Sequence, residues 1–234
     1  VVLNLTTLDE RLALLETTGL DFVVIQPFTK DTAQVTATEF AQQMAQRLQL
    51  RALWVGPDFA LGHKRQGTVP ELQKLGKEFG FTVQTITPFA LNGVEVRSGG
   101  IRAALLAGDV ALAAQWLGRP HALAGEVVHG DQRGATIGFP TANLAMPAER
   151  LVPANGVYAT WAYVKNERHV AVTNVGVRPT FNGKTRSIET HVLDFNSDLY
   201  GQQVRIEFVE RLRGEQRFAN VEALVAQIRH DAKM

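Results

Sequence analysis

The chain has 234 residues, 45% of them hydrophobic, and a formal net charge of +1. That is enough apolar content for one large core or two ordinary ones, and the balance of charge argues against a protein built to hold nucleic acid. The chain has no cysteine and only scattered histidines, which excludes disulfides, thiolate catalysis and cysteine-bearing metal sites and leaves histidine-only zinc without a cluster.

In the first half, Thr7-Leu8-Asp9-Glu10 has capping-box spacing, apolar residues follow at Leu12, Leu14 and Leu15, and Gly19 is a good stop, which predicts a helix. Asp21 to Gln26 is a short continuous apolar run, the pattern of a strand buried on both faces. Thr36-Ala37-Thr38-Glu39 is a second capping box, opening a helix with Phe40, Met44 and Leu48 on one face. Ala52 to Val55 and Phe81 to Ile86 read as further strands, with Glu71 to Phe79 helical between them. Ile101 to Leu106 and Val110 to Leu117 read as two short helices, the second capped by Asp109. This alternation predicts a parallel sheet with helices on both sides, whose ligands gather at the carboxyl ends of the strands. The loop from Gly56 to Gly67 lies at such an end and mixes glycines with Lys64 and Arg65, which suits a phosphate; a basic surface loop is the plainer alternative. A doubly wound nucleotide domain usually opens with a strand and a glycine-rich turn, whereas this chain opens with a helix after Val1-Val2-Leu3. Residues are therefore expected upstream.

The pattern changes near Gly118-Arg119-Pro120. Strand-like runs follow at Ala122 to Val128, Val157 to Val164, His169 to Val175, Ile188 to Phe195 and Val204 to Val209, with turn signals at Asn155-Gly156, Lys165-Asn166 and Asn182-Gly183. Short strands without helices between them predict a small antiparallel barrel or sandwich. Phe218 to Arg229 has helical apolar spacing at Phe218, Val221, Leu224, Val225 and Ile228. Within this half, Gly125 to Leu144 reads GEVVHGDQRGATIGFPTANL. Gly125, Gly130, Gly134 and Gly138 offer backbone N–H groups to an anion, and Thr141 and Asn143 offer oxygens of the kind Mg²⁺ accepts. Their spacing of two puts them on one side of an extended segment. No apolar run is long enough for a membrane span and no signal segment opens the chain, so a cytoplasmic protein without membrane contact is expected.

The same stretch resembles the signature of riboflavin kinases, in the form found in bacterial bifunctional riboflavin kinase/FMN adenylyltransferases, also called FAD synthetases. Asn155-Gly156-Val157-Tyr158, Asn174 to Phe181, Glu189 to Phe195, Asp198-Leu199-Tyr200-Gly201 and Leu212 to Phe218 agree in order with that family. Val55 to Gly62 with Arg65 and Gly67, Ile101-Arg102, Gly108-Asp109-Val110 and Leu117-Gly118-Arg119-Pro120 resemble its adenylylating part. The resemblance implies an incomplete Rossmann-like nucleotidyltransferase domain over residues 1–118, then a riboflavin kinase domain over 119–234, a Greek-key β-barrel with a C-terminal helix. It implies ATP as co-substrate, riboflavin, FMN and ADP as ligands, and Mg²⁺.

By the same resemblance Glu189 is the general base for the ribityl 5′-hydroxyl, reachable from an inward-facing site, and Arg213, Glu215 and Phe218 bind the flavin end. Thr141 and Asn143 hold the metal and, with the four glycines, the ATP. Asp58, Phe59, Gly62, Arg65 and Arg102 mark the adenylyltransferase-like loop. Two features of the family's adenylylating part are missing: the opening histidine pair is absent, and the serine/threonine motif before Ile101 reads Arg97-Ser98-Gly99-Gly100. Adenylyl transfer is thus expected of full-length members and not of this stretch alone. A flavin-binding or flavin-sensing module without turnover is the alternative function. His129 and His191 are expected to be structural.

Overall fold

The computed structural model describes residues 3–130, 134, 137–180 and 183–232. They form two compact units, one of Leu12–Val96 and one of Val1–Arg11 with Arg97–Met234.

Helix α1 (Leu8–Glu16) starts where the capping box predicts: the Thr7 Oγ1 accepts from the Glu10 N–H at 3.2 Å, and the Thr7 N–H donates to the Glu10 carboxylate at 2.9 Å. In the Leu12–Val96 unit, α2 (Ala37–Leu48) carries the second reciprocal box between Thr36 and Glu39. Strand β1 (Ala52–Val55), the short pair β2 (Ala60–Leu61) and β3 (Gly67–Thr68), helix α3 (Val69–Phe79), strand β4 (Thr82–Thr85) and the hairpin β5 (Ala90–Leu91) and β6 (Val94–Glu95) follow. β1 and β4 pair in parallel. The core joins Ala37 and Ala41 of α2 to Leu72 and Leu75 of α3 and to Phe81, with Leu53 and Val83 packed against them.

Two expectations need correcting. The residues from Asp21 to Gln26 form no strand, and Phe22 stays 90% exposed; a buried strand needs neighbours on both edges, and among the described residues β1 and β4 pair only with each other. Nor do helices cover both faces of this sheet. Side chains alternate along a strand, so Leu53 meets the helices while Trp54, on the opposite face, remains 65% exposed.

In the other unit, α4 (Ser98–Ala107) and α5 (Val110–Leu117) precede the strands, and the Asp109 side chain caps α5 by accepting from the Leu112 N–H at 2.9 Å. β7 (His121–Val128), β8 (Ala142–Leu144), β9 (Gly156–Val164), β10 (Glu167–Thr180), β11 (Gly183–Val192) and β12 (Gln203–Arg213) close into a barrel in the order β10-β11-β8-β7-β12-β9. Every neighbouring pair is antiparallel. β9, β10 and β11 form a meander and β12 returns beside β9, which is a Greek key. The β9–β10 turn falls at Lys165-Asn166, both with positive φ, as a two-residue hairpin demands. Asn182, in the turn signal between β10 and β11, lies outside the described residues. α6 (Val221–Asp231) ends the fold; Asn220 caps it by accepting from the Ala223 N–H at 2.9 Å, so Phe218 precedes the helix instead of opening it.

The barrel interior is closed by Tyr158, Phe208, Leu123, Ile206, Val204 and Val175. Thr160, Thr173 and Thr190 form a buried hydroxyl chain through it, each contact 2.9 Å. α4 and α5 belong to the same compact unit as the barrel, although the helical pattern groups them with the residues before 118. Compactness follows burial, and Val110 and Ala113 of α5 are buried.

Arg150, 5% exposed, ties the first residues to the barrel. It donates to the carbonyls of Asn4, Leu5 and Ala122 and pairs with Glu10 at 2.9 Å. Beside it, His121 is buried with Nε2 3.2 Å from the Leu151 carbonyl. Burial first, and the Arg150 charge second, push the His121 pKa down to about 3 from an ordinary 6.5. Between those values the unfolded chain binds a proton that the folded chain refuses. Stability therefore falls as pH drops through that window, by up to about 1.4 kcal/mol per pH unit. His121→Gln, which keeps a donor without titrating, should flatten the difference between urea unfolding free energies measured at pH 7 and pH 4.5.

Candidate active site

Strand pairing sets the site. Arg213 lies opposite Val157, Val157 opposite Asn174, Asn174 opposite Glu189, and Glu189 opposite Asn143. Cross-strand partners share a face, and this row lies on the outside of the barrel: Ile188, Thr190 and Val192, which alternate with Glu189 and His191, are buried. The expectation that Glu189 reaches an inward-facing site is thereby corrected, because apolar side chains and the threonine chain fill the interior. Two register shifts in β12, between Phe208 and Glu210 and between Arg211 and Arg213, bring Arg213 into the row; bulges re-aim side chains in this way.

One cavity opens on the row, and a second opens beside it, reaching the inward-facing Val127, Ala142, Thr190 and Val192. The first, of about 430 Å³, is lined by Glu189, Asn174 and Thr141, by Arg213, Glu215 and Phe218, and by Leu224, Ile228 and Asp231 of α6. The other, of about 470 Å³, is lined by Thr141, Asn143 and Thr190 and by the segment from Phe195 to Tyr200. Thr141 belongs to both. The sequence-derived base and flavin residues thus share one cavity with Thr141, and Asn143 shares the next.

Within the first cavity the Arg213 guanidinium donates to both Asp231 carboxylate oxygens, at 2.8 to 3.1 Å, and lies 5.7 Å from the Phe218 ring centre. The Asp231 carboxylate also accepts from Gln227 at 2.8 Å. Sequence reasoning missed Asp231, Gln227 and Asn174. The signal for Asp231 was available: it follows Leu224 and Ile228 at helical spacing, an acid on an apolar stripe. His191 Nδ1 is 2.8 Å from the Pro140 carbonyl, to which it donates, and its ring meets Phe139 edge-on. His129 stacks on Tyr200 with centroids 3.9 Å apart.

The four glycines of the Gly125–Leu144 stretch have different places. Gly125 lies in the barrel wall, where a Cβ would strike the Ala145 carbonyl. A Cβ on Gly130 would strike the Asn143 carboxamide, so this glycine gives Asn143 its seat. Gly134 lines the Glu189 cavity and accepts from the Phe139 N–H at 2.8 Å, and Gly138 turns the chain at φ 85°. Among the described residues no group of three or more His, Asp or Glu could cage a metal. The neutral oxygens of Thr141 and Asn143 instead fit Mg²⁺, which keeps waters and takes phosphate oxygens alongside few protein ligands.

In the Leu12–Val96 unit, Asp58, Phe59, Gly62 and Arg65 share one loop region. Arg65 donates to the Asp58 carbonyl at 3.0 Å, and Gly62, at φ 76°, abuts the start of α2. Arg102 lies in the barrel's unit and donates to the Leu3 carbonyl at 2.8 Å.

The riboflavin kinase family model matches residues 117–234 and the FAD synthetase model residues 1–99. The bifunctional riboflavin kinase/FMN adenylyltransferase of Escherichia coli K12 is 41% identical over 231 residues, covering 97% of this chain and 73% of that protein. Its counterpart from Bacillus subtilis is 35% identical, covering 97% and 72%. A crystal structure from Streptococcus pneumoniae, described as a macrolide-efflux protein, superposes with a TM-score of 0.90 at 31% identity over 99% of this chain and 75% of that one. No helix among the described residues of the present chain is long and apolar enough to cross a membrane.

The Arg213–Asp231 pair is shielded, with side-chain exposures of 15% and 2%. Asp231→Ala leaves the guanidinium unpaired and should cost about 3 kcal/mol of unfolding free energy, read from urea titration at pH 7.

Proposed function

The chain belongs to the bifunctional riboflavin kinase/FMN adenylyltransferase family, and we propose that its kinase chemistry takes place where the two barrel cavities meet, at Thr141. The reaction moves the γ-phosphate of ATP to the 5′-hydroxyl of riboflavin, giving FMN and ADP. The observation that carries the reading is that Thr141 lines both cavities, with Glu189 in one and Asn143 in the other.

Riboflavin occupies the cavity of Glu189, Arg213, Glu215 and Phe218. Its ring packs against Phe218, as apolar faces do, and its ribityl chain runs toward Glu189. ATP occupies the cavity of Asn143, its phosphates reaching Thr141 and the backbone N–H groups of the glycine stretch, with Gly125 serving close packing and Gly130 seating Asn143. Phosphoryl transfer rests on positioning and on a partner for the hydroxyl proton. Glu189 takes that proton as the hydroxyl oxygen bonds to the γ-phosphorus and the bond to the bridging oxygen of ADP breaks. Thr141 and Asn143 would hold Mg²⁺ together with phosphate oxygens, and the ion when bound neutralises phosphate charge. Arg213, already paired with Asp231, orders the flavin cavity without adding an uncompensated charge. Residues 1–118 are proposed as the adenylyltransferase part and 119–234 as the kinase part. Asp58, Phe59, Gly62 and Arg65 would serve the former; Arg102 lies in the barrel's unit, where it holds the Leu3 carbonyl.

Glu189→Gln should lower riboflavin phosphorylation by about 100-fold or more; near-normal turnover would remove Glu189 from the base role. Thr141→Ala should raise the Mg²⁺ concentration needed for half-maximal activity, and an unchanged requirement would count against the metal assignment. In thermal shift, Mg-ATP should add to the stabilisation given by riboflavin alone.

A further inference from the structure

Glu215 faces the flavin cavity from the segment between the end of β12 at Arg213 and the start of α6 at Val221. No ladder or helix fixes that segment, so the direction of the carboxylate depends on its side-chain partners. Asn155 supplies one: its Nδ2 donates to Glu215 Oε2 at 2.9 Å. The carboxamide cannot turn over without loss, because its Oδ1 accepts from Arg186 at 3.0 Å; reversed, it would set donor against donor and acceptor against acceptor. Its backbone is equally fixed. The Asn155 carbonyl accepts from Arg211 at 2.7 Å, the Ala154 N–H donates to the Leu105 carbonyl at 2.9 Å, and the Tyr158 hydroxyl donates to the Ala154 carbonyl at 2.5 Å.

Gly176 supplies the room. A Cβ at this position would lie 2.9 Å from Glu215 Oε1 and would push the carboxylate aside. Asn155 therefore holds one oxygen from behind, and Gly176 makes space for the other.

An ionised carboxylate only accepts hydrogen bonds. The isoalloxazine ring of riboflavin carries a single N–H, at the imide nitrogen N3; its other polar ring atoms are acceptors. We infer that Asn155 is a positioning residue which, with Gly176, aims Glu215 at the imide N–H of the flavin ring and so selects ligands that carry a donor at that edge. The inference rests on riboflavin occupying this cavity.

The test compares riboflavin with 3-methylriboflavin, which lacks the donor, by flavin fluorescence titration and by kinase kinetics with Mg-ATP. The wild-type chain should prefer riboflavin by about 10- to 100-fold, the range for a hydrogen bond to a charged group. Asn155→Ala should raise the KM for riboflavin about 10-fold, leave kcat within about twofold, and shrink the preference. Glu215→Gln should also shrink it, and the double variant should be little worse than either single one, since both act on the same contact. Should Asn155→Ala fold poorly, Gly176→Ala displaces the same carboxylate and should give the same loss of preference. A wild-type chain that phosphorylates both flavins equally would overturn the inference and leave the kinase reading standing. So would an Asn155→Ala variant that weakens both flavins by one factor. A chain that binds neither flavin would overturn both.

Discussion

Strand register is the constraint on which the site depends. In an antiparallel barrel, side chains alternate between inside and outside, and one residue of slip exchanges the two sets. The row from Arg213 through Val157, Asn174 and Glu189 to Asn143 exists only because five strands keep a common register. The interior enforces it. Thr160, Thr173 and Thr190 form a buried chain of hydroxyls, and a slip of β9, β10 or β11 would break at least one of its links in a low-dielectric core. The row on the outside is thus held by hydrogen bonds on the inside.

A second polar device secures the edge of this unit. Arg150 would be costly to bury alone, but its charge meets Glu10 and its two terminal nitrogens meet three carbonyls. Those carbonyls come from the first residues of the chain and from β7, so a single side chain fastens segments far apart in sequence. The same charge helps keep His121 neutral, which leaves that imidazole to act as a fixed donor in the core.

Much of the fold was legible in the sequence where local chemistry decides structure. The capping boxes at Thr7 and Thr36, the cap at Asp109 and the turn at Lys165-Asn166 act over four residues or fewer, and each appears in the structure. What depends on distant partners was not legible. Asp21 to Gln26 has the composition of a buried strand, yet pairing belongs to a sheet and not to a segment. β8 has three residues, too few for a period to show, although the spacing of Thr141 and Asn143 suits an extended segment. For the site, Glu189 and Arg213 came from a family pattern, and their common cavity came from the ladder. The outward face of Glu189 could not be read from its run, because the alternation of Ile188, Thr190 and Val192 with their neighbours has two possible senses until a core is assigned.

Thr141 stands in the wall between two cavities, and a shared wall has a thermodynamic consequence. Any shift of that wall made by the occupant of one cavity changes the free energy of filling the other. Linkage requires the effect to be mutual: the factor by which the first occupant alters the affinity of the second is the factor by which the second alters that of the first. The order in which two ligands arrive then cannot change the stability of the final complex, only the height of the intermediate step.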